Sequence, residues 1–359
     1  MIVGPRPSTG VSAPSADQIV APRGGIVAVG LRSDDLAREA QWYSALLDAR
    51  VTLQWPHRMH LGWADEPAGL ILHHLPTFAD RPADGPFAGP TQLTLRASSA
   101  RALDIHRRRA AARGLRPIDA RQIADQRVLG YRDPLGNRIE LTATCAPEAA
   151  VARDDANRAL RWDHLTVWIR DPVLTLDWYR LVLGARVCWT GRDARTGQAR
   201  WWLATRGCGD ERDGGVMPQL VLAHAPEARP PLRETLGVDY VVWRHADPTA
   251  LFVHTFKRLR SAGIVPVRGL CSPDAWILDY RDPEGNALRL TAPRSDTLRA
   301  QPDARNDDGV PDDPRARDAG HELDHPMDPV VLLRSLRDTA RSDTFAITSP
   351  SERRKTTHE

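Results

Sequence analysis

Residues 133–142 read Asp-Pro-Leu-Gly-Asn-Arg-Ile-Glu-Leu-Thr, and residues 282–291 read Asp-Pro-Glu-Gly-Asn-Ala-Leu-Arg-Leu-Thr. Each stretch follows a Tyr-Arg pair, at Tyr131 and Tyr280. Pro sets one backbone dihedral, while Gly and Asn tolerate positive φ, so each stretch predicts a tight turn between two strands. Upstream, Trp42-Tyr43-Ser44-Ala45-Leu46-Leu47-Asp48-Ala49-Arg50-Val51 recurs as Trp178-Tyr179-Arg180-Leu181-Val182-Leu183-Gly184-Ala185-Arg186-Val187. Two copies of both stretches define a tandem duplication. It predicts one domain over 25–145, a second over 160–293, and an Ala- and charge-rich linker at 146–159.

Each domain divides again. Short apolar runs at 25–31, 91–96, 162–168 and 238–244 predict strands. Helices follow near 35–47, 98–113, 172–183 and 248–262, with Gly114 and Gly263 placed as C-terminal caps. After each helix come short Val-, Leu- and Trp-rich runs with strand character. The repeating unit is strand, helix, three strands. It occurs four times, which predicts an α+β fold.

The 359 residues are 42% hydrophobic and 26% charged, the composition of a globular protein. No window approaches the roughly 20 apolar residues of a membrane-spanning helix. A net charge of +3 excludes the clustered basic face of a nucleic-acid binder. Only Lys257 and Lys355 are lysines, a bias read as codon usage rather than anion binding. Four separated cysteines, Cys145, Cys188, Cys208 and Cys271, predict neither disulfides nor a zinc knuckle, and a cytoplasmic location. Residues 1–24 read as a disordered leader. Residues 294–359 read as a mostly disordered tail, with a short helix near 328–337 opened by Asp328 and Pro329.

The fourfold unit with paired Asp-Pro-x-Gly-Asn turns resembles the vicinal oxygen chelate superfamily, which includes glyoxalase I, bleomycin-resistance proteins and extradiol dioxygenases. The resemblance covers about 25–293 and is nearest to catechol dioxygenase-like members. It implies two tandem domains, each with its two units forming a curved mixed sheet around a cavity. It also implies a divalent metal held by residues at the start of the first strands and by a Glu after the turn. Carried onto this chain, those positions are Ala28, Gln92 and Glu140 in the first domain, and His164, Tyr240 and Arg289 in the second. A further family position falls near Ile71 and Val221. Neither domain holds two histidines and a carboxylate, and a guanidinium at Arg289 repels a cation. His164 is the one family-type His ligand and Glu140 the one family-type carboxylate. No tight metal is therefore expected, and no cofactor; Fe(II) or Mn(II) returns only if a working dioxygenase site exists.

The candidate catalytic residues are His164, His224 and Tyr240. His164 starts a strand at an inward-facing family position. His224, matched by His74 in the first domain, carries an imidazole that could move a proton. The alternative is a duplicated surface histidine. Tyr240 and Arg289 could receive an anion, or Arg289 could simply pair with Asp279 or Asp239. Gln92 and Glu140 could hydrogen-bond each other. Trp202, Trp243 and Trp276 could line a cavity for a planar ligand. Adjacent Trp201 and Trp202 must face opposite sides, so only one of them can do so.

The leading expectation is a protein that binds a small aromatic or hydrophobic ligand, with metal-free acid/base chemistry where there is turnover. One alternative is an active Fe(II)-dependent extradiol dioxygenase acting on a catechol. The other is a sequestering protein of the drug-resistance type. The expected partner is a small molecule, with a homodimer possible and no nucleic acid or membrane.

Overall fold

The computed structural model describes residues 24–63, 66–75, 87–145, 160–193, 196–205, 219–230, 236–245, 258–271, 275–293 and 325–327. The expected leader, the linker at 146–159, most of the helix at 248–262 and the helix near 328–337 lie outside them.

Unit one comprises β1 (Gly24–Ser33), α1 (Leu36–Leu47), β2 (Arg50–Trp55), β3 (Arg58–Trp63) and β4 (Glu66–His74). Unit two comprises β5 (Gly89–Arg96), α2 (Ala100–Ala112), β6 (Asp119–Ile123), β7 (Gln126–Arg132) and β8 (Arg138–Thr144). Unit three comprises β9 (Arg161–Ile169), α3 (Pro172–Leu183), β10 (Arg186–Arg192), β11 (Ala199–Ala204) and β12 (Leu220–His224). Unit four comprises β13 (Gly237–His245), β14 (Arg268–Cys271), β15 (Ala275–Arg281) and β16 (Ala287–Pro293), and a short β17 (His325–Met327) pairs antiparallel to β14. The helices begin where side-chain acceptors satisfy the first free amides: Asp35, Ser99 and Asp171 accept from Arg38, Ala102 and Leu174.

Chain order predicts that each tandem domain closes its own sheet. The sheets instead exchange units. Sheet I runs β17-β14-β15-β16-β13-β1-β4-β3-β2, joining units one and four. Sheet II runs β10-β11-β12-β9-β5-β8-β7-β6, joining units two and three. The four first strands meet as two antiparallel pairs, β1 with β13 and β5 with β9.

Charge at these two junctions matches the exchange. A register shift leaves Asp239 outside the ladder between Tyr240 and Val238, and Arg32 of β1 binds it at 2.6 Å. The equivalent shift in sheet II leaves out Asp163, and Arg96 of β5 binds it at 3.0 Å. Units one and two carry the Arg; units three and four carry the Asp. Pairing within a domain would put Arg with Arg and Asp with Asp.

Strand alternation separates two chemical faces. One face of each sheet packs with the helices in a single continuous core. It includes Leu31, Leu72 and Leu278 from sheet I, Leu93, Leu141 and Val167 from sheet II, and Tyr43, Leu103 and Val182 from the helices. The other face, free of helices among the described residues, carries the polar side chains at the family positions.

The two repeated sequence signatures meet in space and tie the sheets together. Tyr43 of α1 donates its hydroxyl to Asp133 of the first turn at 2.7 Å. Tyr179 of α3 donates to Asp282 of the second turn at 3.2 Å. Trp63 Nε1 of sheet I adds a bond to the Leu160 carbonyl leading into sheet II, at 2.7 Å.

Candidate functional site

On the helix-free face of sheet II, β9 presents His164 and Thr166, and β5 presents Thr94 and Gln92 directly opposite them. Beyond β5, Glu140 stands beside Thr94 and Arg138 beside Gln92. On the other side of β9, Val221 stands beside Thr166 and Trp202 beside Val221.

His164 Nδ1 lies 3.1 Å from Asp163 Oδ2. Burial works to raise the Asp163 carboxyl, but the His164 bond and the Arg96 guanidinium together hold it below the usual carboxylate range. An ionised Asp163 makes Nδ1 the protonated nitrogen, an assignment from the hydrogen-bond network, and leaves Nε2 as an acceptor. Glu140 is buried between two guanidiniums, Arg138 at 2.9 Å and Arg121 in a short contact. Arg138 also binds Asp119 at 2.5 Å.

Arg200 on β11 pairs with Asp193 at 2.7 Å. Desolvation lowers its pKa, and it also senses Glu140, Arg121 and Arg138 from the far arm of the sheet. The Thr166 hydroxyl and Arg200 Nε are buried without a hydrogen-bond partner among the described residues. Trp202 packs against Trp189 with ring centroids 3.9 Å apart and the ring planes tilted by 43°.

On the helix-free face of sheet I, Tyr240 faces Gly30 across the β1–β13 ladder. A Cβ at residue 30 would run into the Tyr240 ring, so only glycine lets that ring cross β1. The phenol thereby reaches His73 on β4, with Oη 2.7 Å from Nε2. Arg289 caps the Tyr240 ring at 4.3 Å and pairs with Asp279 through Nε at 2.8 Å. Burial, helped by Arg58, Arg289, His60 and Arg32, pushes the His73 pKa down to about 3, so the ring is neutral. Gly30→Ala is expected to expel the ring, break the Tyr240–His73 bond and cost roughly 1–3 kcal/mol in thermal unfolding. An unchanged melting curve would contradict that packing.

The expected site residues are thus divided between two sheets. His164, Gln92, Glu140 and Trp202 share sheet II, whereas Tyr240 and Arg289 share sheet I. His224 does not join His164. It lies one residue out of phase with Val221 and Ala223, on the side of Leu222, with its ring 6.4 Å from Trp201. In unit one the residue on the functional face is likewise His73 rather than His74. Trp243 and Trp276 do not line a helix-free face; both are buried in the helix-side core. Of the adjacent pair, Trp202 takes the helix-free face and Trp201 packs on the core. Gln92 donates to Thr94 at 3.2 Å rather than to Glu140. Arg289 pairs with Asp279, one of the two partners expected. His73, Asp163, Arg121, Arg138 and Arg200 went unnoticed in the sequence. The Asp163-His164 and Asp239-Tyr240 dipeptides were the available signal.

The exchange of units redistributes the positions at which the resemblance implies a metal. On sheet II the carboxylate of Glu140 is already neutralised by two arginines, Gln92 is bonded to Thr94, and the fourth family position is Val221. On sheet I those positions hold Ala28, Tyr240, Ile71 and Arg289. Among the described residues no group of three or more His, Cys, Asp or Glu is placed to hold a metal.

Residues 25–141 match the model of the Glyoxalase/Bleomycin resistance protein/Dioxygenase superfamily. The match covers the first repeat; the second carries the same turn and, in unit three, the same order of strand, helix and three strands. No curated protein sequence matches the chain significantly. Among solved structures, a putative dioxygenase from Bacillus subtilis is similar with a TM-score of 0.55 and 14% identity, covering 77% of this chain and 86% of that one. Glyoxalase I from Zea mays is similar at 0.53 and 13% identity, covering 75% of this chain and 92% of its own. At these identities the likeness is one of fold. Among the described residues no helix is long and apolar enough to cross a membrane.

Proposed function

We propose that the face of sheet II that carries His164 binds a small aromatic ligand without a tightly held metal, and that His164 is the proton acceptor there. The observation that carries this reading is the Asp163–His164 pair, which shares one face with Gln92, Trp202 and Arg200. The carboxylate orients the imidazole and leaves Nε2 as the base. Trp202, backed by Trp189, supplies a flat apolar wall. Arg200 and the Thr166 hydroxyl supply polar hydrogens for an oxygen substituent.

Titration of the full chain with catechol and with benzoate, read by Trp emission, tests it. Quenching is expected to persist with a chelator present and to weaken about tenfold in Trp202→Ala, the loss of a stacking contact worth roughly 1–1.5 kcal/mol. Unchanged quenching in that variant would overturn the site. His164→Ala is expected to keep binding but lose any turnover. Binding with no chemical change to any ligand would leave the sequestering alternative.

A second reading has one specific observation in its favour. The exchange of units puts His164 on one sheet with Gln92 and Glu140, from which chain order had separated it. Anaerobic loading with Fe(II) or Mn(II), followed by desalting, separates the readings. About one metal per chain, lost in His164→Ala, would put oxygenase chemistry first.

A further inference from the structure

We propose that the helix-free face of sheet I is a second small-molecule site, independent of sheet II, which takes a compact organic carboxylate between Tyr240, Arg58 and Arg289. Three features carry it, each on residues that the sheet II reading does not use.

The first is the Tyr240–His73 pair. A neutral imidazole has a single ring hydrogen. An anion beside the phenol would favour the tautomer with that hydrogen on Nε2, in which His73 donates to Tyr240 Oη across the 2.7 Å contact. The phenol hydrogen is then left for an acceptor outside the protein. The pair works as a relay that turns the hydroxyl toward an anion.

The second is the placement of arginines. Arg32 on β1 and Arg58 on β3 are the register neighbours of His73, one on each side. Arg289 stands above the Tyr240 ring from β16. Guanidiniums thus approach the phenol–imidazole pair from three strands. Asp279 binds Arg289 through Nε and Nη2, at 2.8 and 3.1 Å, and so fixes the orientation of the fork. Asp239 does the same for Arg32.

The third is the floor. Where the family positions would carry ligands, this sheet carries Ala28 and Ile71, packed with Val242 and Tyr240 in a small apolar cluster separate from the main core. A short hydrocarbon body would lie on that cluster while its carboxylate meets the polar end. The fixed charge of Arg289 stands at the position that Glu140 occupies in sheet II. The two sheets thus differ in the side chain at equivalent places: an arginine held by Asp279 in sheet I, and a carboxylate held by Arg121 and Arg138 in sheet II.

Calorimetric titration of the full chain with the aliphatic carboxylates propionate and butyrate, and with the neutral amides propionamide and butyramide, tests the proposal. A carboxylate is expected to bind and its amide not. Affinity is expected to fall about tenfold or more in Arg58→Gln and in Tyr240→Phe, the loss of a charge-assisted bond. Tyr240→Phe keeps the ring and its packing, so it guards against a variant that merely misfolds. Carboxylate binding is expected to survive His164→Ala and Trp202→Ala, which separates it from the sheet II reading. The proposal is overturned by the absence of saturable carboxylate binding, by equal binding of the amides, or by unchanged affinity in Tyr240→Phe. It is equally overturned if the binding disappears with His164 or Trp202 instead.

Discussion

Glu39→Gln is expected to stabilise the protein by up to about 5 kcal/mol well above pH 8, and to change little below about pH 4. Glu39 lies on the buried face of α1, and neither carboxyl oxygen has a hydrogen-bond partner among the described residues. Burial is the main force raising its pKa to about 8, and Asp133, Asp34 and Asp35 add to it against Arg38. The folded state therefore holds this proton while the unfolded chain, with an ordinary carboxyl, has released it. Between about 4.5 and 8 the native state binds more protons, so stability falls as pH rises through that window. Gln keeps the shape and removes the ionisation. Urea unfolding of both proteins from pH 4 to 9 reads the effect directly. Curves that stay parallel across the range would show that Glu39 does not carry it.

The second large effect falls on the turn that defines the repeat. Asp282→Ala is expected to cost about 3–5 kcal/mol at neutral pH, enough to threaten folding. Asp282 Oδ1 accepts from the Glu284 and Asn286 amides at 3.0 and 2.8 Å, and Oδ2 from Asn286 Nδ2 and Tyr179 Oη at 2.9 and 3.2 Å. Alanine would leave these buried donors without an acceptor, which costs more than the bonds themselves gain. Asp133 makes three such bonds, to the Asn137 amide, Asn137 Nδ2 and Tyr43. Asp133→Ala should therefore be the milder of the two. Asp282→Asn retains an acceptor for the amides and should be milder still. Denaturant midpoints in the reverse order would count against the turn as the clamp between sheets.

Much of this was legible in the chain. The turns at Asp133 and Asp282 lie between the paired strands where their Pro, Gly and Asn place them. Gly114 and Gly263 close their helical turns at φ of 83° and 75°. The four first strands align at Ala28, Gln92, His164 and Tyr240, and the ladders pair them in that phase. The candidate site was legible only in part. His164, Gln92, Glu140 and Trp202 share one face because alternation along each strand is a local property. Trp243, Trp276 and His224 fell on the other face because a single residue of phase decides it, and phase is hard to judge at strand ends. His73 escaped notice because its role depends on a phenol from β13 crossing over Gly30.

The sequence by itself determined the duplicated unit, its turns and caps, and which residues stand at the aligned first-strand positions of each repeat. These are local matters of backbone preference and side-chain chemistry. Only the tertiary structure decided which units share a sheet, and hence which residues share a site. Four nearly equivalent first strands satisfy the same backbone ladder in any pairing. The choice rests on long-range terms: Arg32 meeting Asp239, Arg96 meeting Asp163, and one core shared by both sheets.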